Sequence, residues 1–150
     1  EKVDLNAIIS EVINDSAVAL EEKNMSINYQ IPNPAPINGN HALLYSIFRN
    51  LMDNSLSYAG NGTQVSILCY LQDNNYYYFS FSDNGPGVAE EHLNRLFERF
   101  YRVDKGRSRK LGGTGLGLAI VKNAVLFHKG EILAKNRLDG GLEFLFTLKK

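Results

Sequence analysis

Asp83-Asn84-Gly85-Pro86-Gly87 sets a carboxylate and two glycines directly after a strand-like run. An ionised Asp only accepts hydrogen bonds, so it can take one from an amino group such as that of adenine. The glycines let the backbone turn sharply and come close to a ligand. Gly112-Gly113-Thr114-Gly115-Leu116-Gly117 leads into a helical pattern, and the N–H groups and positive dipole at a helix start attract phosphate. This is neither the Walker nor the dinucleotide pattern: no Gly-Lys-Ser/Thr follows, and Leu118 holds the last glycine position with no strand leading in. Asn50 and Asn54 are four apart in a helical pattern, so both amides share one face, one turn apart. Amide oxygens are hard ligands for Mg2+, and two beside a phosphate chain can complete a shell with waters. Each feature alone has a plain alternative: an Asx turn ending a strand, a flexible loop, and solvent-facing asparagines. Together they supply a carboxylate for a base, amides for Mg2+ and a glycine lid for phosphates, which are the parts of an ATP site.

The elements that must position these groups follow from apolar spacing. Leu5, Ile8, Ile9, Val12, Ile13, Ala17 and Leu20 predict a helix over 5–22, with Asp4 as its N-cap. A strand is expected over 25–31, then a proline- and glycine-broken loop, then a second helix over 40–58 carrying Asn50 and Asn54. Gln64–Leu71 and Tyr76–Ser82, joined by Asp73-Asn74-Asn75, read as a hairpin ending at Asp83. A short helix is expected over 90–97, a mobile lid over 102–115, a helix over 116–128, and strands over 131–135 and 142–148. Paired strands with helices grouped apart predict an α+β fold: a two-layer sandwich whose mixed sheet is covered by helices on one face.

Composition narrows the rest. The 150 residues suit a single domain, 1–150, with an ordinary core. Lys plus Arg and Asp plus Glu are equal at 16 each, which leaves no electrostatic footprint for nucleic acid. One cysteine, Cys69, permits no internal disulfide and reads as a small buried hydrophobe. No apolar run is long enough to insert into a membrane, and the charged, helical start suits a piece of a longer protein.

The motifs, in order, resemble those of histidine-kinase-type ATPases over essentially the whole chain. Asn50-Leu51-Met52-Asp53-Asn54-Ser55 resembles the asparagine box and Asp83-Asn84-Gly85-Pro86-Gly87 the first glycine box. Leu96-Phe97-Glu98-Arg99-Phe100-Tyr101-Arg102 resembles the phenylalanine box, and Gly113 to Lys122 the second glycine box. The phenylalanine box separates the chain from the related gyrase, chaperone and mismatch-repair ATPases.

The resemblance implies the catalytic, ATP-binding domain of a sensor histidine kinase in a two-component system, with a Bergerat-type fold. It implies ATP and Mg2+ as cofactors: Asn54 on the metal, Asn50 near the phosphates, Asp83 reading the adenine amino group, and Gly85 and Gly87 shaping the pocket. Arg102 would neutralise phosphate charge, and Gly113, Thr114, Gly115, Leu116, Gly117 and Leu118 would form the lid and its base. Phe97 and Phe100 would anchor the lid, core packing being an equal reading for Phe97. Asn50, Asn54 and Arg102 are thus the catalytic candidates. The implied partners are the dimerisation and histidine-phosphotransfer domain of the same protein and a response-regulator receiver domain. The implied location is the cytoplasmic side of a membrane-anchored bacterial sensor.

Three positions depart from the family pattern. Ser57 replaces a common basic residue, for which Lys105, Arg107, Arg109 or Lys110 could substitute; Asn40 replaces an acidic one, and Glu143 a small hydroxyl residue near the adenine. His41, His92 and His128 lie outside any acceptor-like segment and read as surface or capping residues, the charge of His128 suiting a helix end. Two rivals remain: a degenerate ATP-binding regulatory module, and an anti-sigma-type serine kinase.

Overall fold

The computed structural model describes residues 1–103 and 115–150. Helix α1 (Leu5–Asp15) starts at Asp4, whose Oδ1 accepts from the Asn6 N–H at 3.0 Å and also from the Ala35 N–H at 2.9 Å. That is the capping an acidic residue supplies at a helix start. Helix α2 (Ala17–Glu22) follows after a break at Ser16, so the single helix expected over 5–22 is two. Ser16 has φ −99° and ψ −1°, yet Val12 and Leu20 stay buried on either side of it. The apolar period crosses the break, which is why spacing alone reads one helix.

Two short strands escaped the sequence: β1 (Lys2–Asp4) pairs antiparallel with β3 (Pro36–Asn38) inside the expected loop. Three-residue strands carry too little alternation to register. The other strands are β2 (Ser26–Gln30), β4 (Gln64–Gln72), β5 (Tyr76–Asp83), β6 (Ile132–Asn136) and β7 (Leu142–Lys149). They form a five-stranded sheet in the order β2-β4-β5-β7-β6, with β2 parallel to β4 and every other pair antiparallel. The hairpin turn between β4 and β5 is held by Asp73, whose Oδ1 accepts from the Asn75 and Tyr76 N–H groups. Those bonds, first of all the one from Asn75, hold its carboxyl below the usual range.

Helix α3 (His41–Tyr58) lies on one face of this sheet beside α5 (Gly117–Phe127); α4 (Glu90–Leu93) is a single turn, shorter than expected. Asn40 accepts from the Leu43 N–H at 2.9 Å and caps α3 as an Asp would, so its departure from the family pattern is of little consequence. Alternation sorts the sheet into two faces. Val65, Ile67, Phe79, Phe81, Phe144, Phe146 and Leu148 are buried on the helix face. Ser80, Ser82, Glu143 and Leu145 take the other, where Leu133 is exposed. The α+β sandwich with a mixed sheet covered on one face is therefore as expected. Cys69, half-buried rather than buried, is free, and burial pushes its thiol up.

Phe48 fastens α3 to the sheet. It is 0% exposed, with its ring 5.5 Å from Phe79 and 5.7 Å from Phe146, which stack on each other at 5.3 Å. Removing it leaves a cavity under the helix that carries both candidate asparagines. Phe48→Ala is expected to lower unfolding free energy by about 3–5 kcal/mol in a urea titration, with Phe48→Leu losing much less.

Candidate functional site

The carboxylate of Asp83 is the fixed point of the site. Asp83 ends the central strand β5 on the helix face and is 5% exposed. Its Oδ1 accepts from the Gly85 N–H at 3.0 Å and, at 3.4 Å, from the Leu142 N–H; its Oδ2 accepts from the Ser55 hydroxyl at 3.2 Å. Its carbonyl oxygen accepts from the Arg137 guanidinium at 3.1 Å. Buried carboxylates need such donors, and one placed at a strand end can offer its remaining lone pair to an amino group entering from outside.

The glycines after it are required by space. A Cβ at Gly85 would come within 2.5 Å of the Ala59 carbonyl oxygen and 2.7 Å of its Cα, so the turn packs flat on the end of α3. Gly87 has φ +72°, and a Cβ there would meet the Asn136 Oδ1 at 2.5 Å. Asn136 accepts from the Val88 N–H at 3.0 Å and donates to the Val88 carbonyl at 2.6 Å, which clasps the end of the turn to β6. Asn84 closes the other side, its Oδ1 accepting from the Gln64 N–H at 2.7 Å.

Asn50 and Asn54 both lie half-buried on α3. The Asn50 amide N–H donates to the Ser46 carbonyl at 2.8 Å, which leaves its Oδ1 facing α5: a Cβ at Gly117 would lie 3.1 Å from it. Among the described residues Asn54 makes no side-chain hydrogen bond, so its carboxamide oxygen is open to a hard cation. No group of three or more His, Cys, Asp or Glu capable of holding a metal occurs among the described residues. Mg2+ is usually held by one or two protein oxygens completed by water and a phosphate chain, a manner that a single amide oxygen such as that of Asn54 suits.

The second end of the site is built by Phe100 and Gly115. The Phe100 N–H donates to the Gly115 carbonyl at 2.7 Å; both residues have positive φ (66° and 78°), and a Cβ at Gly115 would lie 2.7 Å from the Phe100 Cα. This joins the stretch carrying Arg102 to the start of α5. Arg102 is half-buried and borders a pocket of about 330 Å3 lined also by Arg95, Glu98, Arg99, Phe100 and Tyr101. That pocket includes neither Asn54 nor Asp83 and so does not mark a base site. The Phe97 ring meets Phe144 edge-on at 6.0 Å and belongs to the core, whereas the Phe100 ring is 64% exposed and its backbone does the anchoring. Leu118 packs against the core, and Leu116 precedes α5 without a side-chain cap. Gly113 and Thr114, with most of the expected lid and the cations Lys105, Arg107, Arg109 and Lys110, lie outside the described residues.

Two expectations change. Glu143 does not share the face of Asp83: it pairs with Ser82 on the uncovered sheet face, accepting from the Ser80 hydroxyl at 2.5 Å with Lys135 at 3.7 Å. The β7 residue beside Asp83 is Leu142, one position earlier, because alternation sends neighbours to opposite faces. His128 does cap α5, but it is 4% exposed and not a surface charge. Its Nδ1–H donates to the Ala124 carbonyl at 2.8 Å and its Nε2 accepts from the Asn40 N–H at 3.1 Å, so it bridges two helices as a neutral ring. Ser55, Asn136 and Arg137 were missed as site residues. An Asn just before the Asp139-Gly140-Gly141 turn was the available signal for Asn136; Ser55 and Arg137 gave none, since their partners are 28 and 54 residues away.

A family model described as histidine kinase-, DNA gyrase B-, and HSP90-like ATPase matches residues 39–150. The chain is 38% identical over 148 residues to the sensor-like histidine kinase SenX3 of Mycolicibacterium smegmatis, covering 99% of this chain and 38% of that protein. It is 35% identical over 150 residues to the sensor histidine kinase CpxA of Escherichia coli, covering 99% of this chain and 32% of that protein. It thus spans about a third to two fifths of the curated relatives it matches. The solved structure of the mycobacterial sensor histidine kinase MprB superposes with a TM-score of 0.86 at 25% identity, covering 99% of this chain and 97% of that one.

The Asn136 clasp is open to a direct check. Asn136→Ala strips both hydrogen bonds from the Val88 backbone and is expected to cost about 1–2 kcal/mol. The Val88 amide should then exchange with solvent about tenfold faster while amides in α3 keep their protection.

Proposed function

The chain belongs to the histidine kinase-, DNA gyrase B-, and HSP90-like ATPase family, and from that premise we propose that it is the part of a sensor histidine kinase that holds Mg-ATP and presents its γ-phosphate to a histidine on a separate helical domain. The observation that carries this reading is the buried, donor-fixed carboxylate of Asp83 at the end of the central strand, followed by a turn whose glycines pack directly on Ala59 and Asn136.

In this reading Asp83 accepts from the adenine amino group, and Gly85 and Gly87 let the base approach the backbone. Asn54 would hold Mg2+, which when bound neutralises phosphate charge, with Asn50 one turn earlier near the phosphates. Arg102 adds a cation near the phosphates, and Gly113, Thr114, Gly115, Leu116, Gly117 and Leu118 cover them, with the N–H groups at the start of α5 turned to negative charge. Phosphoryl transfer asks a protein for positioning and charge neutralisation rather than covalent chemistry. The γ-phosphorus breaks its bond to the bridging oxygen of ADP and forms one to an imidazole nitrogen.

No histidine of this chain is placed to be that acceptor. His41 faces Glu11 at 3.6 Å, His92 is bonded to the Tyr101 hydroxyl, and both nitrogens of His128 are engaged in the interior. The acceptor is read as a histidine of the dimerisation and phosphotransfer domain of the same protein, with a response-regulator receiver as the next carrier. The parent is read as a membrane-anchored sensor with this unit, residues 1–150 as one domain, on the cytoplasmic side. Among the described residues no helix is long and apolar enough to cross a membrane.

Calorimetric titration of Mg-ATP tests the site. Asp83→Asn is expected to weaken binding about 10- to 100-fold, the loss of a hydrogen bond to a charged group. Asn54→Ala with Mg2+ should match the unaltered chain with the metal chelated, and chelation should weaken the variant no further. Adding the acceptor domain should yield an acid-labile phosphoprotein. An acid-stable product would instead indicate a serine acceptor, and binding without transfer a regulatory module.

A further inference from the structure

We propose that Ser55 is a specificity-determining positioning residue: its hydroxyl locks the Asp83 carboxylate so that one acceptor direction is left for the amino group of a purine base. This rests on the reading that Asp83 meets the base. Ser55 is 2% exposed and sits directly after Asn54 on α3. A helical serine ordinarily bonds back to a carbonyl of its own helix, as Ser46 does to Leu43 at 2.7 Å on this same helix. Ser55 instead reaches across 28 residues to the Asp83 Oδ2 at 3.2 Å.

That choice matters because of how the other oxygen is held. Both backbone donors, Gly85 and Leu142, act on Oδ1. The planar carboxylate turns as one unit about a broad, two-fold torsion; the Leu142 bond to Oδ1 is long at 3.4 Å, and Ser55 adds a hold on Oδ2 that the backbone donors do not supply. A carboxylate oxygen has two lone-pair directions; with one taken by Ser55, the other is left for a ligand. A base edge carrying an amino group satisfies it, whereas an edge carrying a carbonyl oxygen or only C–H leaves it unpaired or repelled. Discrimination should therefore depend on Ser55 as well as on Asp83.

The test measures dissociation constants by calorimetry for ATP and for purine riboside triphosphate, which lacks the 6-amino group. The proteins are the unaltered chain, Ser55→Ala, Ser55→Cys, Asp83→Asn and the Ser55→Ala/Asp83→Asn double variant, with thermal unfolding of each. Ser55→Ala is expected to weaken ATP about tenfold, one hydrogen bond's contribution, while moving the deamino nucleotide less than about twofold. Ser55→Cys, similar in size with a weaker donor, should fall between. In the double variant the Ser55 change should add nothing to Asp83→Asn. Equal weakening of both nucleotides, or an unchanged preference in Ser55→Ala while Asp83→Asn loses it, would overturn the role of Ser55 and leave the base reading standing. If the unaltered chain shows no preference for the amino-bearing nucleotide, the base reading fails and this inference falls with it.

Discussion

A carboxylate buried at the end of a central strand must be met by donors, and the architecture around the site follows from that requirement. The Asp83 side chain is 5% exposed. Donors reach it from three separate parts of the chain: the turn at Gly85, strand β7 at Leu142 and helix α3 at Ser55. The β5–β7 register sets Leu142 next to Asp83, and Gly141 before it has φ +104°, where a side chain would collide with the Asp83 carbonyl. Helix α3 in turn must lie close enough for Ser55 to reach across, which is the approach that Gly85 permits by having no Cβ against Ala59. The glycines, the register and the helix position are thus parts of one solution to a single desolvation problem.

The helix that meets this demand also carries the amides, and it can do both because its faces are divided. Leu44, Ile47, Phe48, Leu51 and Met52 are buried, and Phe48 sits against a stacked aromatic pair. Asn50 and Asn54 take positions only half-buried at the edge of that apolar face, with Asn50 held by its own helix through Ser46. A helix fixed by aromatic packing loses little freedom when a cation or base binds, so little ordering cost is charged against affinity. The uncovered sheet face bears none of this, which is why Glu143 can stand there on β7 without altering the base side.

What the sequence disclosed was whatever is encoded locally. The amphipathic period of α3, the Asp4 cap, the hairpin with its Asp73 turn, and the motif order from Asn50 to Gly117 are all short-range patterns, and the α+β layering follows from their order. What stayed hidden depends on pairing across distance. Strands β1 and β3 stabilise each other but are too short to alternate visibly. Asn136 reads as an ordinary strand end until Val88 is found beside it, and Ser55 as filler in the asparagine motif until Asp83 is seen. His128 illustrates the same limit. A helix-end histidine suggests a charge against the dipole, yet its second nitrogen faces the Asn40 N–H, a contact spanning 88 residues that turns a surface cation into a buried neutral bridge.

The two ends of the site are coupled through α3 rather than through each other. At one end α3 touches the glycine turn at Ala59 and Asp83 at Ser55; at the other it approaches Gly117 through the Asn50 oxygen, four residues before Asn54. Phe100 and Gly115 then tie Arg102 and the start of α5 into the second end by one backbone hydrogen bond. The spacing of the groups that α3 presents to the two ends is set by the rise of one helix, about 1.5 Å per residue, which is stiff. The separation between Arg102 and the α5 start is set by a clasp of two residues with positive φ. A ligand spanning both ends would meet a rigid helix on one side and a single backbone hydrogen bond on the other.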